Sequence, residues 1–266
     1  MVYYEYTEDE NVKKGFMKSK GGKVLYWCLM GMLIAVFLTA AFMVARHYYD
    51  EQKSAGQFDD LAQMTQKEPQ QAASQEPTAA EKYASVLAEN DDFIGWIKIP
   101  ETRIDYPVVQ TPDSPNYYLR RGFDKKYSYY GVPYAAEICT IGDCDNTIIY
   151  GHNMTNGSMF SDLQKYSSKE FWQGHRYVQF DTMEGFGVYE IFAVIKTAAG
   201  AKNEFKYYKF AEGDAQAFAD YVAECKHRSL YDTGITAEKG DRLLTLSTCE
   251  YSRDNGRMAV IAKKIN

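Results

Sequence analysis

Residues 242–265 read RLLTLSTCEYSRDNGRMAVIAKKI, and this stretch decides the fold. Both ends are apolar runs rich in Leu, Thr, Val and Ile, the texture of β-strands, and the polar EYSRDN between them reads as a turn. Cys249 closes the first strand and Arg257 opens the second, eight residues later. If a short loop joins the two strands, antiparallel pairing brings the guanidinium back beside the thiol. Working outward, the same texture recurs in GWIKIPETRIDYPVVQ (95–110), VPYAAEI (132–138), NTIIYGHN (146–153), RYVQFDT (176–182) and GVYEIFAVIKTAA (187–199), with Gly, Asp and Asn between the runs. The 23 Tyr and 14 Phe of the chain fit this strand-rich reading. Roughly eight strands at this spacing predict a mainly β domain closed, or nearly closed, into a barrel. Three segments break the pattern. Thr78 or Glu81 opens a short helix with Tyr83, Val86 and Leu87 on one face, ended by Asn90, Asp91 and Asp92. Ser158–Tyr166 reads as another short helix. Gly213–His227 reads as a longer one, with Ala217, Phe218, Tyr221 and Val222 on one side, inserted before the Cys249 strand.

Composition bounds the function. Of 266 residues 45% are apolar and 25% charged, which excludes a wholly disordered chain and a polytopic membrane protein. A net charge of -6 argues against a nucleic-acid partner, and five scattered cysteines are too few for a disulfide framework. The mean hides one sharp shift. Residues 24–45, VLYWCLMGMLIAVFLTAAFMVA, carry no charge and span a hydrocarbon core as a helix. Lys13, Lys14, Lys18, Lys20 and Lys23 precede it, so residues 1–23 are expected in the cytoplasm and everything after the span outside. The apolar run is too long for a cleaved signal peptide. Residues 46–80 are expected to be an extracellular tether, flexible or partly helical over the Gln-, Ala-, Ser- and Glu-rich part. Length alone suggests about two domains, but this partition leaves one, residues 81–266.

The chemistry gathers at strand ends. Cys28 lies in the membrane span, and Cys225 sits in the inserted helix as a packing residue. Cys139 and Cys144, in ICTIGDC, either pair outside the membrane or remain free thiols of a turn. Cys249 ends an apolar strand at a barrel rim, half in solvent, where a reactive thiol belongs. His47 flanks the membrane, and His175 and His227 lie in polar segments. His152 ends the strand NTIIYGH. A Cys and a His at two strand ends of one barrel can meet in space and supply a nucleophile and an acid/base. Reference pKa values of about 8.5 and 6.5 leave little thiolate–imidazolium pair at neutral pH, so a permanent cation would help, and it could also hold an oxyanion. Arg257, at a strand start, is favoured over Arg253 in the loop. No spacing for a metal site, a dinucleotide loop or a phosphate-binding loop occurs, so neither metal nor cofactor is expected.

Taken together, TLSTC (245–249), YGHN (150–153) and NGRMAV (255–260), in this order behind an N-terminal anchor, resemble a sortase, the cysteine transpeptidases of Gram-positive bacteria. The resemblance covers about residues 81–266. It is greatest to class B, through the helix before the first strand, the long helix before the Cys strand, SPNYYLRRGFD (114–124), Ser247 and Glu250. It implies an eight-stranded sortase-type barrel, with Cys249 as nucleophile, His152 as general acid/base and Arg257 orienting the oxyanion or substrate. Implied groove residues are Asn116, Leu119, Tyr150, Ser247, Glu250, Tyr207 and Tyr208. The implied partners are surface proteins with a C-terminal sorting signal of the Asn-Pro-x-Thr-x kind, cleaved after Thr, and an amine of a lipid II-like peptidoglycan precursor. Two alternatives stand beside this one: a class B member that joins pilins, and a catalytically silent membrane-anchored barrel that binds peptide or wall. A papain-like protease is excluded, since the Cys comes last rather than first.

Overall fold

The computed structural model describes residues 20–66, 77–200 and 204–266. The chain divides into two units, Met1–Gln52 and Lys53–Asn266. Helix α1 (Lys20–Gln66) carries an 18-residue window of mean hydropathy 2.5, long and apolar enough to cross a membrane. In the first unit its apolar side chains, Trp27, Leu33, Phe37 and Val44 among them, are exposed on every side. A helix apolar all round, with no single buried stripe, is the pattern of a membrane span. Of the expected cytoplasmic tail, residues 1–19 lie outside the described residues, as do residues 67–76 of the expected tether.

In the second unit α1 continues as helix to Gln66. Of the two states expected for the tether, helix is the one seen here, and the segment also packs. Phe58 and Leu61, three apart and so on one helix face, are buried in the barrel core. Phe58 meets the ring of Tyr106 edge-on at 5.2 Å. Helix α2 (Ala79–Glu89) begins where the sequence places it. Thr78 accepts from the Glu81 N–H while the Glu81 carboxylate accepts from the Thr78 N–H, a reciprocal cap that satisfies two free donors of the first turn. Asn90 closes the helix.

Eight strands follow: β1 (Phe93–Lys98), β2 (Asp105–Val109), β3 (Tyr134–Ala135), β4 (Asn146–Tyr150), β5 (Tyr177–Thr182), β6 (Val188–Ala198), β7 (Leu243–Cys249) and β8 (Gly256–Lys264). They close into a barrel in the order β1-β2-β3-β4-β7-β8-β6-β5. Two pairs, β2–β3 and β4–β7, are parallel. VPYAAEI shrinks to the two residues of β3, because Pro133 lacks the N–H a ladder needs and the chain turns at Glu137. The helix expected over Ser158–Tyr166 is instead a 3-10 turn, Ser161–Ser167, followed by α3 (Lys169–Gly174) capped by Ser168. The long helix is α4 (Ala215–Arg228), capped by Asp214. Its buried face is Phe218, Tyr221, Val222 and Cys225, the spacing of one helical stripe; Ala217 falls off that stripe and is exposed. This face covers the outward side of β6 and β8 through Phe192, Ile195 and Ile261, a core separate from the barrel interior.

Candidate active site

Every residue of β7 is buried except its last, Cys249, which is half-exposed. Register then determines what surrounds it. On one side, β8 runs antiparallel with Cys249 directly opposite Arg257. Gly256 permits the tight return, since a Cβ there would lie 2.2 Å from the Glu250 carbonyl oxygen. On the other side, β4 runs parallel with Tyr150 opposite Ser247, and the Gly151 N–H donates to Ser247 O at 3.0 Å. Two residues beyond that pair on each strand stand His152 and Cys249. Gly151 is required here as well, because a Cβ would meet the Phe160 ring at 2.5 Å.

The end of β7 is held from the side. Asn153 Nδ2 and Gln164 Nε2 both donate to the Cys249 carbonyl, at 2.9 and 3.0 Å. The His152 ring is oriented by Leu119, whose carbonyl lies 2.8 Å from Nε2. A carbonyl can only accept, so this contact places the proton of the neutral ring on Nε2. Burial pushes the His152 pKa below its usual value and the nearby Arg120 adds to this; the Leu119 carbonyl opposes both without cancelling them. Arg257 donates to the carbonyl of Gly256 at 2.9 Å, which fixes the root of its guanidinium. Arg253 turns away, exposed and paired with Glu204 at 3.4 Å.

These three residues open on one cavity of about 340 Å³. Four of the expected groove residues line it with them: Asn116, Leu119, Tyr150 and Ser247. Three do not. Tyr207 is buried behind the wall, its hydroxyl 2.5 Å from Ser247 Oγ. Tyr208 packs edge-on against Tyr207 with the second core. The Glu250 side chain folds back onto the Ser252 N–H and hydroxyl and onto Lys196. Burial raises its pKa, but those donors outweigh it and hold the carboxyl below its usual range.

Other lining residues went unseen in the sequence, notably Tyr134 and Glu137. Tyr134 donates to Asn116 Oδ1 at 2.8 Å and its ring meets that of Tyr150 at 5.5 Å. Burial first, then the Glu137 carboxylate and the Cys249 side chain, push its pKa up to about 12. The only signal for Tyr134 is the aromatic and β-branched texture of VPYAAEI, and Glu137 has none. Among the described residues no group of three or more His, Cys, Asp or Glu is arranged to hold a metal ion. The arrangement suits acyl transfer: a half-exposed thiol, an imidazole of low proton affinity and a fixed cation around one open cavity.

A family model described as a sortase domain matches residues 97–265. The curated sortase B of Listeria monocytogenes is 31% identical over 94% of this chain and 98% of its own length. Among solved structures, a Staphylococcus aureus sortase B-substrate complex matches with a TM-score of 0.72 and 27% identity, covering 82% of this chain and 99% of that one. A sortase B complexed with triglycine matches with a TM-score of 0.72 and 26% identity, covering 81% of this chain and 99% of that one.

Proposed function

The chain belongs to the sortase family, as a class B sortase, and from that premise we propose that Cys249, His152 and Arg257 carry out its transpeptidation. The observation that carries the assignment is the register of β7: parallel to β4 and antiparallel to β8, it flanks Cys249 with His152 on one side and Arg257 on the other.

The neutral His152 ring takes the Cys249 thiol proton as the sulfur attacks the carbonyl carbon of the threonine in an Asn-Pro-x-Thr-x-like sorting signal. The oxygen gains the negative charge, and the Arg257 guanidinium stabilises it. As the intermediate collapses, the C–N bond breaks and His152 delivers a proton to the departing amine. A thioester remains on Cys249. A peptidoglycan-precursor amine then attacks it, His152 accepts the amine's proton and passes it to the departing sulfur, and the new amide leaves the thiol free and the ring neutral. The substrate complex and the triglycine complex of the two structural relatives support a peptide and an amine as the two partners. Asn116, Leu119, Tyr150 and Ser247, on the cavity wall, are the residues we assign to the peptide; Tyr207 supports Ser247 from behind the wall.

The apolar part of α1 is a candidate membrane anchor. The five lysines before it support a cytoplasmic N-terminus and an extracellular barrel.

The test is cleavage of a panel of sorting-signal peptides by the full chain in detergent, read by mass spectrometry, with a triglycine acceptor. Cleavage after Thr, a thioester adduct on Cys249 and loss of both in Cys249→Ala are expected. No cleavage of any peptide and no adduct would instead favour a barrel that only binds.

A further inference from the structure

The segment ICTIGDC (138–144) plays no part in the transpeptidation just described, yet it carries two thiols. Neither is an exposed turn residue. Cys139 and Cys144 are 3% and 5% exposed and share one small buried cluster with Ala136, Ile148 and Ala211. Both sulfurs settle on the first residues of β4. Cys139 Sγ lies 3.2 Å from Asn146 O and accepts from the Ile148 N–H at 3.4 Å, while Cys144 Sγ lies 3.5 Å from Thr147 Oγ1.

Their surroundings are unequal. Cys144 lies on the wall of a second cavity, of about 270 Å³, which is distinct from the one around Cys249. Arg242 and Lys264 line the same cavity, and the Arg242 guanidinium donates to the carbonyls of Asp143 and Cys144. The neighbouring Cys139 first, then Thr147 and Arg242, draw the Cys144 pKa down against burial. Cys144 and burial push Cys139 up. Cys144 is therefore the thiol at an opening, and Cys139 is not on that wall but shares the buried cluster with it.

We propose that Cys139 and Cys144 form a redox-active dithiol, in which Cys144 reacts with hydrogen peroxide reaching it through this cavity and Cys139 resolves the product. In the first step the Cys144 thiolate attacks one peroxide oxygen. The O–O bond breaks, Cys144 becomes a sulfenic acid, and hydroxide leaves. In the second step Cys139 loses its proton and attacks the Cys144 sulfur. The S–S bond forms, the S–O bond breaks, and water departs. The two thiols lose two electrons in total and the peroxide becomes two molecules of water. The bond would close the turn between β3 and β4.

The test treats the full chain in detergent, first reduced under native conditions, with graded hydrogen peroxide. Free thiols are then blocked with iodoacetamide after denaturation, and the peptides are mapped by mass spectrometry. A Cys139–Cys144 disulfide is expected to appear at low peroxide, with Cys225, buried and pushed up to about 12, still free. Cys139→Ser should halt Cys144 at a sulfenic acid captured by dimedone, and Cys144→Ser should leave Cys139 reduced. The wild-type map does not depend on either variant folding. Both thiols remaining free while Cys249 or any methionine is oxidised would overturn the proposal. So would a Cys139–Cys144 bond that native dithiol reductant cannot open, which would be a structural staple instead.

Discussion

At the scale of single residues, the site depends on groups that the strand register holds beside one thiol. Arg257 offers a planar fork rooted on the Gly256 carbonyl, and a lysine would offer only a point charge on a flexible stem. We expect Arg257→Lys to lower kcat/KM for a sorting-signal peptide by about 10²-fold, the scale for losing one oxyanion donor. Arg253→Ala should stay within a few-fold, because Arg253 is engaged with Glu204; the reverse ranking in steady-state cleavage would move the oxyanion role to Arg253. His152 gives a second expectation, in stability. Its folded pKa is depressed, chiefly by burial, while the unfolded chain takes up its proton near about 6.5. The unfolded state therefore binds more protons below about pH 6.5, and stability falls as pH drops through that value until the folded ring is protonated. Glu250, also depressed, adds its own loss only lower, from its ordinary carboxylate range downward. Thermal unfolding between about pH 7.5 and about pH 5.5 should thus show a smaller decline in His152→Gln than in the wild type. Equal declines would mean that the ring is not held neutral.

At the scale of elements, the short 3-10 turn Tyr207–Lys209 meets the site wall from behind through a single buried contact. Tyr207 hydrogen-bonds Ser247 inside the wall, and Ser247 lines the cavity. Tyr207→Phe should cost about 1 kcal/mol in thermal unfolding, the net worth of one hydrogen bond, and leave peptide cleavage near normal. Ser247→Ala should raise KM several-fold, and a Tyr207→Phe that damages kcat/KM equally would place the tyrosine in the groove after all. The same contact shows what a sequence can and cannot display. The strand-end positions of Cys249 and His152, and the return of Arg257, were legible because each follows from apolar runs, a short loop and the period of a strand. Tyr134 and Glu137 were not. They reach the cavity through a two-residue strand whose parallel pairing with β2 is a long-range event. Tyr207 and Tyr208 have the aromatic character of groove residues, yet the turn that carries them points them into the core. Burial of a loop aromatic is decided by tertiary packing, which no local pattern encodes.

At the scale of the whole chain, the boundary of the folded barrel is set by what packs, and composition alone places it too late. Residues 46–80 look like a tether because Gln, Ala, Ser and Glu dominate them, but Phe58 and Leu61 are 6% and 4% exposed in the barrel's own core. Ser54 adds a buried hydroxyl contact with Ser128 at 3.2 Å, and Lys53 an exposed ion pair with Asp124. The ion pair contributes little. The two apolar side chains contribute about 1.5–3 kcal/mol each as an upper bound, since the unfolded chain already buries part of that surface. The unit Lys53–Asn266 should therefore fold without the apolar part of α1. We expect fragment 53–266 to be monodisperse without detergent and to cleave sorting-signal peptides at the rate of the full chain. Fragment 77–266, which keeps the Thr78 cap of α2, should unfold at a clearly lower temperature and bind more of a dye for exposed apolar surface, because Tyr106 loses the ring that covers it. Melting curves of the two fragments, recorded side by side, decide the matter. Coincident transitions would mean that Phe58 and Leu61 merely rest on the barrel, and a midpoint separation of several degrees would mean that they complete its core.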